Sequence, residues 1–145
     1  MSGFDFVELR RRYEKLPNGP KADLRRLTRP DKVAEVAVGY RLMPGIDLRP
    51  GMQRVLFCLP WVRHADGARP LGAALSKANI DEKRLFQIVR SESPNDLVQL
   101  RRLLQWSEPT ADWVELGTQL LRWGDVSKRR LLESYYLAWN KATRT

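Results

Sequence analysis

Among 145 residues there is one cysteine, Cys58, and one histidine, His64. A single thiol excludes an internal disulfide, and a reducing, cytoplasmic setting is the expected one. Cys58 and His64 have no partner set around them, and no carboxylate cluster supplies one, so no metal site is expected. A glycine-rich phosphate loop and a nucleophile–base arrangement are both missing. Asp81-Glu82 is better explained as a helix start, where negative charge meets the helix dipole. The expectation is therefore a protein with no catalytic residues and no cofactor. No run approaches the roughly 18 apolar residues of a membrane span. The opening Met1-Ser2-Gly3-Phe4-Asp5 has no basic leader ahead of an apolar stretch, so neither membrane nor secretion is expected.

Acidic residues are also scarce relative to basic ones. Seventeen Asp and Glu face twenty-six Lys and Arg, for a net charge of +9 and a pI near 10.2. Such a surplus attracts polyanions, because binding releases the counterions condensed on them. The surplus is uneven. It is +4 over residues 1–30, +1 over 31–82, +3 over 83–102 and +4 over 122–145. Residues 103–121 carry no base and three acids, Glu108, Asp112 and Glu115. That contrast suggests one surface for nucleic acid and another for protein partners.

What the chain does contain, from end to end, is helix signals. Val7 and Leu9 open a segment that breaks at Pro17-Asn18-Gly19-Pro20, and a short helix follows to about Leu27. Val33, Val36, Ala37 and Tyr40 repeat at helical spacing, then Pro44, Gly45, Pro50 and Gly51 predict a loop. The apolar run Val55 to Val62 reads as a buried helix, and Pro70 to Ala78 as a short one with small residues for close packing. Asp81 caps a helix to about Arg90; Ser93-Pro94-Asn95-Asp96 starts another that reaches about Trp106, with Ser93 as cap. Thr110 to Trp123 and Ser127 to about Lys141 complete an all-α fold of eight to nine helices. Asp66-Gly67 divides it into two small packed bundles, 1–66 and 67–145, or marks a loop within one continuous unit.

Helical geometry, about 100° per residue, says where the bases point. After Asp81, residues Leu85, Phe86, Ile88 and Val89 share the apolar side; Lys83, Gln87 and Arg90 lie opposite, with Arg84 beside them. In the next helix Leu97, Leu100, Leu103 and Leu104 form the core stripe, Arg102 points away from it and Arg101 sits at its edge. Exposed guanidiniums without nearby carboxylates suit phosphate, offering two aligned donors to two oxygens. Arg25-Arg26 and Lys128-Arg129-Arg130 are further clusters, whereas Arg10-Arg11-Arg12, flanked by Glu8 and Glu14, predicts a salt-bridged surface. Trp106, Trp113, Trp123 and Trp139 fall among Leu and Ala and are expected in the core; Trp61 is the one left open for base stacking. Nucleic-acid binding without base readout is the first reading. A free-standing helical regulator and a basic scaffold for an acidic protein are the alternatives.

The order of motifs narrows this further. Leu16-Pro17-Asn18-Gly19, Leu24-Arg25-Arg26-Leu27, Tyr40-Arg41-Leu42 and Leu71-Gly72-Ala73-Ala74-Leu75 are followed by two basic motifs. These are Asp81-Glu82-Lys83-Arg84-Leu85-Phe86-Gln87 and Leu100-Arg101-Arg102-Leu103-Leu104. From about Tyr13 to Trp139 the series resembles the small subunit of the type I-E CRISPR surveillance complex Cascade, the CasB family. The resemblance implies a non-catalytic, two-bundle helical subunit that dimerises against the backbone and large subunits, near the crRNA. It also implies contact with target DNA and the displaced single strand in the R-loop, cleavage being left to a recruited helicase-nuclease. In the family, basic residues of these motifs line the nucleic-acid path; here they are Arg26, Arg84 and Arg102, with Arg25, Lys83 and Arg101 beside them. Two departures stand out: Gly39 where an aromatic is expected, and a shorter loop around Asp66-Gly67.

Overall fold

The computed structural model describes residues 4–143; Met1 to Gly3, read above for a leader, lie outside the described residues. Nine α-helices follow one another among these residues: α1 Phe6–Glu14, α2 Asn18–Arg25, α3 Ala37–Leu42, α4 Pro50–Cys58, α5 Leu71–Lys77, α6 Glu82–Arg90, α7 Asn95–Ser107, α8 Trp113–Leu121 and α9 Asp125–Thr143. Two 3-10 segments, Pro30–Glu35 and Leu59–Trp61, and two two-residue strands, β1 Arg63–His64 and β2 Thr110–Ala111, join them.

The helix starts follow local chemistry. Asp5 accepts from the Glu8 amide at 2.9 Å and Asp81 from the Arg84 amide at 2.9 Å, satisfying first-turn donors that have no partner within the helix. Several starts differ from expectation. Asn18 and Gly19 lie inside α2, with Pro20 in its first turn, and the break falls just before them. Val36 is extended, so the 30–42 segment divides into a 3-10 turn and α3. Pro50 begins α4 rather than ending a loop, because a first-turn proline loses no hydrogen bond. Pro94, not Ser93, caps α7, its carbonyl accepting from the Leu97 and Val98 amides at 3.1 Å each. Thr110-Ala111 is drawn out of α8 by parallel pairing with Arg63-His64, and Asp112 becomes the cap.

The core is one cluster drawing on helices from both sides of Gly67, with Phe57, Leu56, Trp113, Leu85 and Leu104 fully enclosed. It packs without voids to spare where glycine is used. A Cβ on Gly72 would strike the Leu131 carbonyl and the Ser134 hydroxyl, so α5 and α9 touch backbone to backbone there. Gly39 is likewise held against the Val33 carbonyl, 3.0 Å from where its Cβ would be, leaving no room for an aromatic ring.

Helix ends are closed by cations arriving from elsewhere in the chain. Arg12 donates to Leu42 O (3.1 Å) at the end of α3, and Arg10 to Leu59 O (2.6 Å) past α4. Arg54 reaches Leu120 O (2.6 Å) and Leu121 O (2.8 Å) at the end of α8. Arg101 reaches Arg25 O (2.6 Å) and Leu27 O at the end of α2, and Lys128 reaches Ser91 O (2.8 Å) past α6. A cation at a helix C-terminus answers both the unpaired carbonyls and the negative end of the helix dipole.

Candidate nucleic-acid interface

Helices α6 and α7 bury Leu85, Ile88, Leu97, Leu100 and Leu104 against the core, which turns their polar sides outward. Lys83, Arg84, Arg90 and Arg102 are all exposed on those sides. Arg84 and Arg102 line an open cleft of about 330 Å³ with Gln87, Gln99, Leu103 and Trp106, and no carboxylate lines it. The only ion pair of Arg84 among the described residues is a loose one, 3.9 Å to Asp81, and Arg102 has none. Lys83 and Arg90 line the adjoining cleft with Phe86, Gln87, Ser91 and one carboxylate, Glu82. Arg90 stacks its guanidinium 5.0 Å from the Phe86 ring.

On its other flank Arg102 borders a pocket shared with Leu27 and Thr28, just past the end of α2. Arg25 and Arg26 are exposed there. Arg26 pairs with Asp23 at 3.2 Å, both side chains being solvated, and such pairs hold by less than about 1 kcal/mol, so a phosphate competes easily. Arg129 and Arg130 are exposed on α9 and line neither cleft.

Two bases expected on this surface are interior instead. Arg101 is 6% exposed; beyond its two carbonyls its guanidinium lies 4.4 Å from the Phe57 ring. Burial draws its pKa below the usual arginine value, while the nearby Cys58 opposes the shift. Lys128 is 8% exposed and meets Asp96 at 2.9 Å. Asp96 also accepts from Trp123 Nε1 at 3.0 Å and the Leu97 amide at 2.8 Å, so this node joins α7, α9 and the loop between α8 and α9. Helical spacing gave each residue an angle but not the neighbour waiting at that angle. The Arg10-Arg11-Arg12 run is salt-bridged as expected, Arg10 to Glu14 at 3.1 Å and Arg11 and Arg12 to Glu8 at 3.1 and 3.6 Å, although Arg10 is buried rather than on the surface.

The tryptophans divide in a way composition did not foretell. Trp113 is fully buried with Nε1 donating to Val62 O at 2.9 Å, Trp123 is tied to Asp96, and Trp139 packs edge-on to Tyr136. Trp61 is half-buried beneath Arg25 and Arg101. Trp106, expected in the core, is 64% exposed, with the Arg84 guanidinium 4.8 Å from its ring centre. The signal was present: Gln99, Arg102 and Trp106 are spaced i, i+3, i+7, which puts the indole on the arginine's side of α7.

Among the described residues no group of three or more His, Cys, Asp or Glu is placed to hold a metal ion. His64 spends both ring nitrogens, accepting from the Trp113 amide at 3.1 Å and lying 2.6 Å from Asp66. Cys58 is fully buried, and desolvation pushes its thiol up to about 12. Of the three acids in 103–121, Glu108 and Glu115 are exposed, but Asp112 is structural: it accepts from Gly67 and Val114 amides at 3.0 Å each. The Gly67 amide above all holds its carboxyl below the ordinary range. No helix among the described residues is long and apolar enough to cross a membrane.

No family profile matches the chain. It is 34% identical over 153 aligned residues to the CRISPR system Cascade subunit CasB of Escherichia coli (strain K12), covering 94% of this chain and 96% of that protein. A chain in the crystal structure of E. coli Cascade bound to a PAM-containing dsDNA target with a 32-nt spacer is similar in fold, with a TM-score of 0.88. That match is 34% identical and covers 94% of this chain and 99% of the other.

Proposed function

The chain belongs to the CasB family of Cascade subunits, and from that premise we propose that it is a non-catalytic element that keeps the R-loop open. It does so by sequence-independent contact with the phosphates of the target strand and the displaced strand during crRNA-guided targeting. Guide–target pairing supplies the specificity, so the subunit has no need of base readout. The contacts fall to Arg25, Arg26, Lys83, Arg84, Arg90 and Arg102, with Arg129 and Arg130 as an outlying pair. It works in the cytoplasm as one of two copies against the backbone and large subunits.

One observation carries this reading. Arg84 of α6 and Arg102 of α7 share a cleft that no carboxylate lines, and Lys83 and Arg102 have no ion pair among the described residues. Leaving such charges uncompensated has no structural use; a phosphate backbone is the ligand that matches them. The test is salt-dependent binding to single-stranded DNA by the chain and by its Arg26→Ala/Arg84→Ala/Arg102→Ala variant. The log–log salt slope is expected to shrink by roughly 2, about 0.7 for each lost contact, equally for unrelated sequences. An unchanged slope, or R-loops as stable with the variant as without it, would sink the assignment. Discrimination among duplex sequences in a gel shift would instead favour a regulator.

A further inference from the structure

We propose that Trp106 is the floor of a nucleotide subsite, which takes one unstacked base of single-stranded DNA while Arg84 and Arg102 hold the adjoining phosphates. This rests on the phosphate-contact reading and adds a second kind of contact to it.

Trp106 is 64% exposed at the last turn of α7, beside a cleft rather than over the core. An indole kept in water forfeits the burial that normally places tryptophan inside and leaves its surface accessible to a ligand in the cleft. Arg84 covers the ring from 4.8 Å and steadies its orientation by a cation–π contact, yet most of the residue stays accessible. Around it the cleft supplies two guanidiniums and the side-chain amides of Gln87 and Gln99. An amide both donates and accepts, so it can meet the edge of any base. No carboxylate lines the cleft to repel phosphate, the nearest one to Arg84 being Asp81 at 3.9 Å. The neighbouring cleft has an aromatic and two cations as well, but Glu82 lines it and accepts from Tyr136 at 2.7 Å, which makes it a poorer anion site.

These parts select for single strands. Bases in a duplex are already stacked and paired, whereas an unpaired base offers a free π face to the indole. A stack of this kind is tolerant of sequence, in keeping with a subunit that leaves specificity to pairing.

The experiment compares full-length wild-type chain with Trp106→Ala and Trp106→Phe on three probes: a dT oligonucleotide, an abasic oligonucleotide of equal length, and duplex DNA. Trp106 is exposed, so both variants are expected to melt with the wild type. Trp106→Ala should weaken dT binding by roughly 5- to 150-fold without altering the salt slope. It should leave abasic and duplex binding unchanged, and Trp106→Phe should restore most of the loss. The quenching of wild-type indole emission by dT should shrink in the Phe variant. If Trp106→Ala binds dT as tightly as wild type, the subsite is overturned while the phosphate-contact reading stands. If the wild-type chain binds none of the three probes at low salt, that reading itself is overturned and the subsite with it.

Discussion

Arg101 and Arg102 are neighbours on α7 and have opposite surroundings. Arg101 turns inward, where it closes the end of α2 through two carbonyls and lies over Phe57. Arg102 turns outward into a cleft with Arg84 and Trp106 and meets no carboxylate. The same division runs through the whole molecule. Arg10, Arg54, Arg101 and Lys128 are drawn in to close helix ends, while Lys83, Arg84, Arg90, Arg129 and Arg130 stay in solvent. A net charge of +9 is therefore not a measure of phosphate contacts. Part of the basic charge is spent on main-chain carbonyls that short helices expose in quantity, four per helix end.

If the division is right, stability and binding should separate cleanly between the two sides. Lys128→Met is expected to have the largest effect, a loss of about 3–5 kcal/mol, because it leaves the Asp96 carboxylate buried and uncompensated. Adding Asp96→Asn should recover part of that loss in urea denaturation; no recovery would mean that Lys128 acts through packing alone. Arg101→Ala should come next, at about 3 kcal/mol, since two carbonyls lose their donor and a ring face loses its cover. A fall in Tm of roughly 10 °C is the readout. Its DNA salt slope, by contrast, should stay that of the wild type.

Cys58 sharpens the interior side through pH. Desolvation pushes its thiol up to about 12, above the ordinary 9.0, against the pull of Arg101 and Arg54. Above about pH 9 the unfolded chain gives up a thiol proton that the folded chain keeps, so stability falls as pH rises toward 12 and is unaffected below. Tyr135 and Tyr136, also raised, add a slope of the same sign. Cys58→Ala should flatten the alkaline fall without abolishing it, as followed by urea midpoints between pH 8 and 11. The smallest change in stability belongs to Arg102→Ala, under about 0.5 kcal/mol, yet its single-strand salt slope should drop by about 0.7. A large loss of stability there would erase the distinction from Arg101.

The helical class, the order of the elements and most of the exposed bases were legible in the residues, because each depends on chemistry within a turn or two of chain. Asp81 announces α6 by itself, and the stripe Leu97, Leu100, Leu103, Leu104 orients α7 without reference to anything else. Arg84 and Arg102 follow as the polar sides of those two helices. Trp106 is within reach of the same spacing, and the general tendency of tryptophan to be buried is what points it, wrongly here, to the core.

What only the tertiary structure decided is which polar groups meet across long stretches of chain. Thr110-Ala111 leaves the helical state because β1, some 47 residues earlier, offers it a hydrogen-bonding partner, as the pairing Arg63↔Thr110 fixes. Lys128 is interior because Asp96 and Ser91 wait for it, and Arg101 because α2 ends beside it. Periodicity assigns a residue its direction from a helix axis; whether that direction holds water, a carboxylate or another helix's open carbonyls depends on how the helices pack, and no local rule contains that information.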